Sequence, residues 1–459
     1  MSVRSRSARA GQRTGRRRAA ARADAGRFAS ALAAALLVVA GLGVAIAPAT
    51  ASNANGGPTW REVSSALPPP ARENGTMAYD AATGQVVLFG GLDNSLKALG
   101  DTWIWNGTAW SEVTPSKSPS ARFGASMAYD AATHQLVLFG GEEVWGGLDY
   151  GGQLNDTWIW TGTTWRELSP AKSPDARAYA SMAYDAATHQ LVLFGGEDPN
   201  SYSFFADTWS WSGTSWTEVS ASTTGLGALD GTAMAYDAAT STLVLFGGSN
   251  SSGTDSNDTW TWNGTKWTQS APAQSPPTLD GGSMDYDEAT GQLVLFGGYD
   301  AGALDDTWTW SPTTWTELTP SKVPPARAYA TMAYDAGADQ LLLFSGWPSL
   351  DDTWIWGSAP EAPAAPVSLK ATAGKDKVTL SWKPPASDGG SAVTGYDVFM
   401  GTSSGHEAGK PLNPKPLPPH ARTYVATGLK KGHRYYFTAK AINAVGAGAA
   451  SKQVSAVPT

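Results

Sequence analysis

Two short stretches of this sequence crowd aromatic rings against carboxylates. Residues 142–155 hold Glu142, Glu143, Trp145, Asp149 and Tyr150, residues 197–206 hold Glu197, Asp198, Tyr202, Phe204 and Phe205, and Trp347 stands in a third such stretch. A ring face stacks on the apolar side of a pyranose while a carboxylate accepts its hydroxyl hydrogen bonds, so these residue types suit a sugar or a peptide. A second pattern is one of charge. Arg72, Arg122, Arg177 and Arg327 each lie five residues before a methionine, whereas Leu229-Asp230 and Leu279-Asp280 stand at the matching points before Met234 and Met284. If these positions gather around one opening, one arc is basic and the other acidic, which could orient a carboxylate-bearing or zwitterionic ligand. Both patterns have a structural alternative: loop aromatics can cap small cores of their own loops, and arginines can hydrogen-bond loop carbonyls.

Chemistry beyond binding finds little support. The chain has no cysteine, which excludes disulfides, thiolate metal sites, a cysteine nucleophile and a lipidated-cysteine anchor. The five histidines do not converge: His134 and His189 occupy a repeated turn position held elsewhere by Gly84, Ser241, Gly291 and Asp339, while His406, His420 and His433 fall in a separate C-terminal segment. Glu142 and Glu143 could serve glycoside hydrolysis, but nothing fixes two carboxyls at the separation that reaction needs. Asp285, Asp287 and Gly291 mimic a calcium loop only loosely. No catalytic residue, metal site or cofactor is expected. The net charge is −8 over 459 residues, and residues 1–51 carry nine arginines against one aspartate, so the chain without them stands at −16. A surface this acidic disfavours nucleic acid and anionic membranes, which require clustered Lys and Arg.

The elements that must position these residues repeat. The pattern Met-x-Tyr-Asp, first seen as Met77-Ala78-Tyr79-Asp80, recurs with its methionine at 127, 182, 234, 284 and 332, spacings of 50, 55, 52, 50 and 48 residues. A period of this length marks an array. Each copy predicts four short strands. The first ends in Tyr-Asp, and the second, such as Val86-Val87-Leu88-Phe89, is apolar on both faces and so sandwiched between sheets. The third alternates with Trp103 and Trp105 on one face, and the fourth begins at Trp110. Asn106-Gly107 and Asn263-Gly264 predict two-residue hairpin turns, and Gly90-Gly91 ends the second strand where a side chain would obstruct the bend.

These copies resemble kelch repeats, whose signature is an apolar strand ending in Gly-Gly, a spaced aromatic pair and a following tryptophan. The resemblance covers about residues 59–356, with Ser345-Gly346 replacing Gly-Gly in the last copy and Ser311-Pro312 replacing the Asn-Gly turn in the fifth. It implies an all-β, six-bladed kelch-type β-propeller, one four-stranded blade per repeat. The sixth copy stops after Trp354-Ile355-Trp356, and its missing strand stands ahead of the first copy at Thr59-Trp60-Arg61-Glu62-Val63. The N-terminal strand should therefore close the ring and remove an open edge. Strand alternation places the variable loops after Gly-Gly on the same face as the connections between blades. Some kelch-type propellers are copper radical oxidases, a chemistry that needs a cysteine cross-linked to tyrosine, which this chain lacks.

At the N-terminus, an Arg-rich segment, the apolar run 28–47 and Ala49-Thr50-Ala51-Ser52 predict a secretory leader over 1–51, with cleavage near Ser52. An uncleaved membrane anchor is the alternative, since the run reaches the ~20 residues a spanning helix needs. The propeller is expected over 52–357 and a Pro/Ala-rich linker over 358–365. Residues 366–459 resemble a fibronectin type III β-sandwich, with Trp382 as core tryptophan and Tyr435 as corner tyrosine. The expected role is a secreted or cell-surface, non-catalytic binding or scaffold protein. Its loop face would recognise a glycan or extracellular protein through Trp145, Tyr150, Glu142, Asp149, Tyr202, Phe205 and Trp347, with the four arginines, Asp230 and Asp280 at the channel mouth. An extracellular carbohydrate-active hydrolase using loop carboxylates is the alternative.

Overall fold

The computed structural model of the chain describes residues 51–52, 57–145, 149–198, 203–219, 225–358, 361–390, 392–407 and 409–459. Residues 1–50 of the expected leader, the apolar run included, and Tyr202 lie outside the described residues, as do the side chains of Trp145, Asp149 and Tyr150. The chain forms two units, one built on Thr59–Gly357 and the other on Ser358–Thr459. Among the described residues both consist of strands and loops alone.

Six four-stranded antiparallel sheets make up the first unit, one per repeat, and blade five also carries a short parallel pairing of Ala51–Ser52. Blade one is Thr76–Asp80, Gln85–Phe89, Thr102–Trp105 and Trp110–Val113, paired in that order. The first strands of successive blades lie against one another, and that of blade six lies against that of blade one, so the ring closes around a central channel. Val86, Val87, Leu88 and Phe89 are all fully buried, as are their counterparts in the other blades. That is the environment their two-sided apolar pattern demands.

Thr59–Val63 pairs antiparallel with Thr353–Gly357, Trp60 opposite Trp356, and supplies the fourth strand of blade six. The fourth-strand tryptophans then lock the ring. Each donates its indole N–H to the buried threonine that opens the third strand of the preceding blade: Trp110 to Thr353, Trp165 to Thr102, Trp216 to Thr157, Trp267 to Thr208, Trp315 to Thr259 and Trp60 to Thr307, at 2.9–3.0 Å. Each also packs on the phenylalanine closing the second strand of that preceding blade, as Trp165 does on Phe89 at 5.4 Å. One side chain thus combines a large apolar contact with a satisfied polar tip at every seam.

One local expectation is corrected. Asn106-Gly107 is not a two-residue turn, because Trp105 pairs with Trp110 and four residues intervene. Asn106 lacks the positive φ that a two-residue type I′ turn requires; instead its Oδ1 accepts the N–H groups of Thr108 and Ala109. The two-residue connection occurs in blade five, where Ser311 pairs with Thr314 around Pro312-Thr313. The Asp287 carboxylate plays the turn role that the repeat gives it, accepting the Ala289 N–H and the Thr290 hydroxyl as Asp80 does with those of Ala82 and Thr83.

Asp285 stands where the other five repeats place alanine, and its carboxylate accepts the backbone N–H groups of Tyr286 and, across the seam, Tyr334. Burial, only partly offset by those two bonds, pushes its carboxyl up to about 6. An acid whose folded value is raised loses stabilising power as pH climbs from its unfolded value to its folded one. Between pH 4 and pH 7 the stability difference between Asp285→Ala and the parent should therefore move by roughly 2–3 kcal/mol in favour of alanine. Urea melts at the two pH values check this; a constant difference would show that Asp285 is solvated.

The second unit packs the sheet of Pro366–Gly374, Lys377–Pro385 and Thr423–Thr427 against that of Gly395–Gly401, Tyr435–Ile442 and Val454–Ala456. Trp382 is buried against Tyr396, and the Tyr435 hydroxyl accepts the Lys430 N–H at 3.0 Å, the corner expected of it. Residues 361–364, within the expected linker, are tied into this sandwich by Glu361 N–H to the Gly389 carbonyl and Ala364 N–H to that of Ser387.

Candidate ligand-binding face

The loop face of the propeller is organised by three sets of backbone contacts, two of them closed around the ring and the third repeated within each blade. The innermost is a collar: the N–H of Asn74 donates to the carbonyl of Tyr329, Gly124 to Asn74, Tyr179 to Gly124, Gly231 to Tyr179, Gly281 to Gly231 and Tyr329 to Gly281. A cycle that visits each blade once encircles the channel axis. All six residues have φ between 53° and 62°, a region that suits glycine and asparagine but is unusual for tyrosine. Gly281 has no alternative, since a Cβ there would meet the Tyr329 ring at 2.4 Å.

The second set uses the Gly-Gly pair. Gly91 N–H donates to the Arg122 carbonyl of the next blade, and the pattern repeats around the ring to Gly346 and Arg72. A Cβ on Gly90 would lie 2.5 Å from the Arg122 carbonyl oxygen. Ser345, the one departure, sits at the seam between blades six and one, where its hydroxyl hydrogen-bonds the Arg72 backbone N–H and carbonyl.

The third set positions side chains. The residue after each arginine or leucine forms a β-bridge with the residue after Gly-Gly: Glu73 with Leu92, Phe123 with Glu142, Ala178 with Glu197, Asp230 with Ser249, Asp280 with Tyr299, and Ala328 with Trp347. Bridged residues present their side chains on the same face. Five of these six pairs hold one carboxylate, and the sixth holds Trp347. The band around the mouth is therefore acidic on nearly every blade, with Phe123, Tyr299, Trp347 and the collar tyrosines interleaved.

The expected basic arc is absent, which corrects the reading of Arg72, Arg122, Arg177 and Arg327 as mouth residues. All four are at most 1% exposed and turn into their own blades. Arg177 donates to both carboxylate oxygens of Asp207 at 2.6 and 2.8 Å, to the Gly195 carbonyl and, through Nε, to that of Asp175. Arg72 with Asp101, Arg122 with Asp156 and Arg327 with Asp352 repeat this clamp. Leu229 and Leu279 fill the same place in blades four and five as apolar core. Phe205 is drawn into the clamp too, its ring lying 3.9 Å from the Arg177 guanidinium carbon, so it packs beneath the loop.

Asp230 and Asp280 do reach the mouth. Asp280 accepts the Tyr329 hydroxyl at 2.5 Å, and burial together with Asp280, Asp230 and Asp255 holds that phenol well above its usual range. Glu142 is buried at its bridge, and Trp347 is half-buried with its ring edge-on to Tyr299 at 5.8 Å. Of the two aromatic stretches, the described residues form antiparallel pairs: Glu142–Trp145 with Asp149–Gln153, and Glu197–Asp198 with Ser203–Phe204. Sequence reasoning missed Glu73, Phe123, Tyr179 and Tyr329. Aligning the copies on the arginine and on Gly-Gly together, and reading the two residues after the arginine in each, would have found them.

A family model of the KLHDC2/KLHL20/DRC7 Kelch-repeats domain matches residues 57–212 and 185–357. The chain belongs to the kelch-repeat family. A fibronectin type III model matches residues 361–457 of this kelch protein. The cell adhesion molecule Dscam1 of Drosophila melanogaster is 32% identical over 101 residues, 22% of this chain and 5% of that one, so the chain spans only a small part of this relative. A solved structure titled "Structure of YjhT" aligns over 69% of the kelch chain and 99% of its own, at 18% identity and a TM-score of 0.48.

Proposed function

We propose that this kelch protein is a non-catalytic binding protein acting outside the cytoplasm, and that its loop face recognises an extracellular glycan. The observation that carries the reading is the pair of two-stranded antiparallel sheets at Glu142–Trp145/Asp149–Gln153 and Glu197–Asp198/Ser203–Phe204. They rise from adjacent blades of a closed ring, so the loop residues are displayed on a rigid base. Their sequences supply Trp145, Tyr150 and Tyr202 beside Asp149 and Asp198, a combination of ring faces and hydroxyl acceptors suited to pyranoses. The Arg-rich segment, apolar run and Ala49-Thr50-Ala51-Ser52 that predict a leader over 1–51 support export. A protein ligand is the second reading, favoured by the likeness to an adhesion molecule and by two domain types that commonly serve protein interaction.

Residues 52–459 should retain at least one polysaccharide on a glycan array. Trp145→Ala should weaken that binding about tenfold, the loss expected when one stacking contact of roughly 1–2 kcal/mol is removed. Absence of binding to any glycan, or unchanged binding in the variant, would overturn the glycan reading. Release of reducing sugar, abolished by one replacement among Glu142, Glu143, Asp149, Glu197 and Asp198, would establish a hydrolase instead.

A further inference from the structure

A cleft of about 290 Å³ opens at the seam between blades one and six, away from the two-stranded sheets of blades two and three. Its walls come from two loops of the mouth. Blade one contributes Glu73, Asp93 and Leu96, and blade six contributes Trp347 and Pro348. Glu73 is the acidic member of its bridge pair, yet its Oε2 is buried without a hydrogen-bond partner. No cation pairs with it among the described residues, because its neighbour Arg72 turns into the blade and is spent on Asp101, Gly90 and Pro70. A buried carboxylate left this way is costly unless a cation or proton meets it. Burial alone pushes the Glu73 carboxyl up to about 7.

The remaining walls combine apolar and polar residues, with Asn94 and Ser349 lining the cleft beside Trp347, Pro348 and Leu96. Trp347 is held at its backbone by the bridge to Ala328 and at its ring by Tyr299. Leu96 is 41% exposed at the rim, kept there by a left-handed backbone (φ 58°). Asp93 spends Oδ1 on the N–H groups of Ser95 and Lys97 and adds a second negative charge at the edge.

We infer that this cleft binds a protonated primary amine on a short alkyl chain, the ammonium meeting Glu73 and Asp93 and the methylenes lying on Trp347 and Leu96. Charge pairing supplies selectivity for the cation, and the indole face adds both apolar contact and cation–π attraction. The ligand chemistry is shared by free diamines and by lysine side chains. Its site and its charge both differ from those of the glycan reading, so either can fail without the other.

Calorimetric titration of residues 52–459 with cadaverine, with Nα-acetyl-lysine methylamide and with the uncharged 1-pentanol tests the inference. One amine site per chain is expected, with no heat from pentanol. Glu73→Gln and Trp347→Leu should each weaken the amine at least tenfold, while Glu112→Gln, an exposed acid on an outer strand, leaves it unchanged. Tighter binding of cadaverine would assign the site to free diamines, and tighter binding of the lysine derivative to a protein partner. Two results would overturn the inference: silence from both amines, or equal amine binding in folded Glu73→Gln and Trp347→Leu variants. If one variant fails to fold, the other still decides.

Discussion

Replacing Arg177 by methionine should destabilise the propeller by about 3–5 kcal/mol, the cost of removing one partner from a buried ion pair. The guanidinium is wholly buried and satisfies the Asp207 carboxylate and two backbone carbonyls. Methionine would replace the bulk but leave both carbonyls without the guanidinium and the Asp207 carboxylate with the Trp209 indole N–H in place of its cation. The molecule contains its own control. Burial alone would raise these aspartates, but hydrogen bonds and charge from the paired arginine outweigh it and hold Asp101, Asp207 and Asp352 below the usual range. At the same position in blade five, where Leu279 replaces arginine, burial and then Asp305 push Asp306 above it. A depressed carboxylate contributes stability above its unfolded value and loses it as pH falls through the folded one. Arg177→Met should accordingly flatten the acid limb of the stability profile. Combining Arg177→Leu, which supplies the residue type of blades four and five, with Asp207→Asn, which removes the stranded charge, should recover most of the loss. Urea unfolding of the three proteins measures these effects, and a single-variant loss under about 1 kcal/mol would mean that the clamp is well solvated.

Removal of the closing strand should be still more damaging. Trp60 donates to Thr307 across the seam and packs on Phe296 at 5.0 Å and Trp356 at 5.3 Å. Trp60→Ala alone should cost about 3–5 kcal/mol as a buried large-to-small change. Deleting Thr59–Val63 also uncovers the Thr353–Gly357 edge, a template for pairing with another chain. The truncated protein is expected to aggregate or dimerise in analytical ultracentrifugation, and a synthetic peptide spanning 57–65 should restore the monomer. A truncated monomer with unchanged melting temperature would show that the ring is held by the other five seams.

Much of this architecture was legible because each repeated residue performs one local task six times. The apolar second strands, the tryptophans at 103, 105 and 110 with their counterparts, and the missing strand of the last copy all determine pairings through patterns visible within about 50 residues. The candidate site was harder to read because its residues do not repeat in type. Glu73, Phe123 and Asp280 share a backbone position but no chemistry, and a carboxylate at the mouth comes from one strand of the bridge in blades one, four and five and from the other in blades two and three. The arginines misled for a related reason. Their spacing marked a position that borders the mouth, but spacing cannot tell whether a long side chain turns towards solvent or into its own blade.

Sequence by itself thus determined the strand count, the order of pairing, the way the ring closes and the corner of the second domain, since these follow from periodicity and a few local hydrogen bonds. Tertiary structure alone decided where charge is exposed. Each arginine is neutralised by an aspartate 25 to 34 residues away, which turns an expected basic arc inward. What remains at the mouth is a band of carboxylates and rings, assembled from all six repeats by a collar of backbone bonds that no single repeat contains.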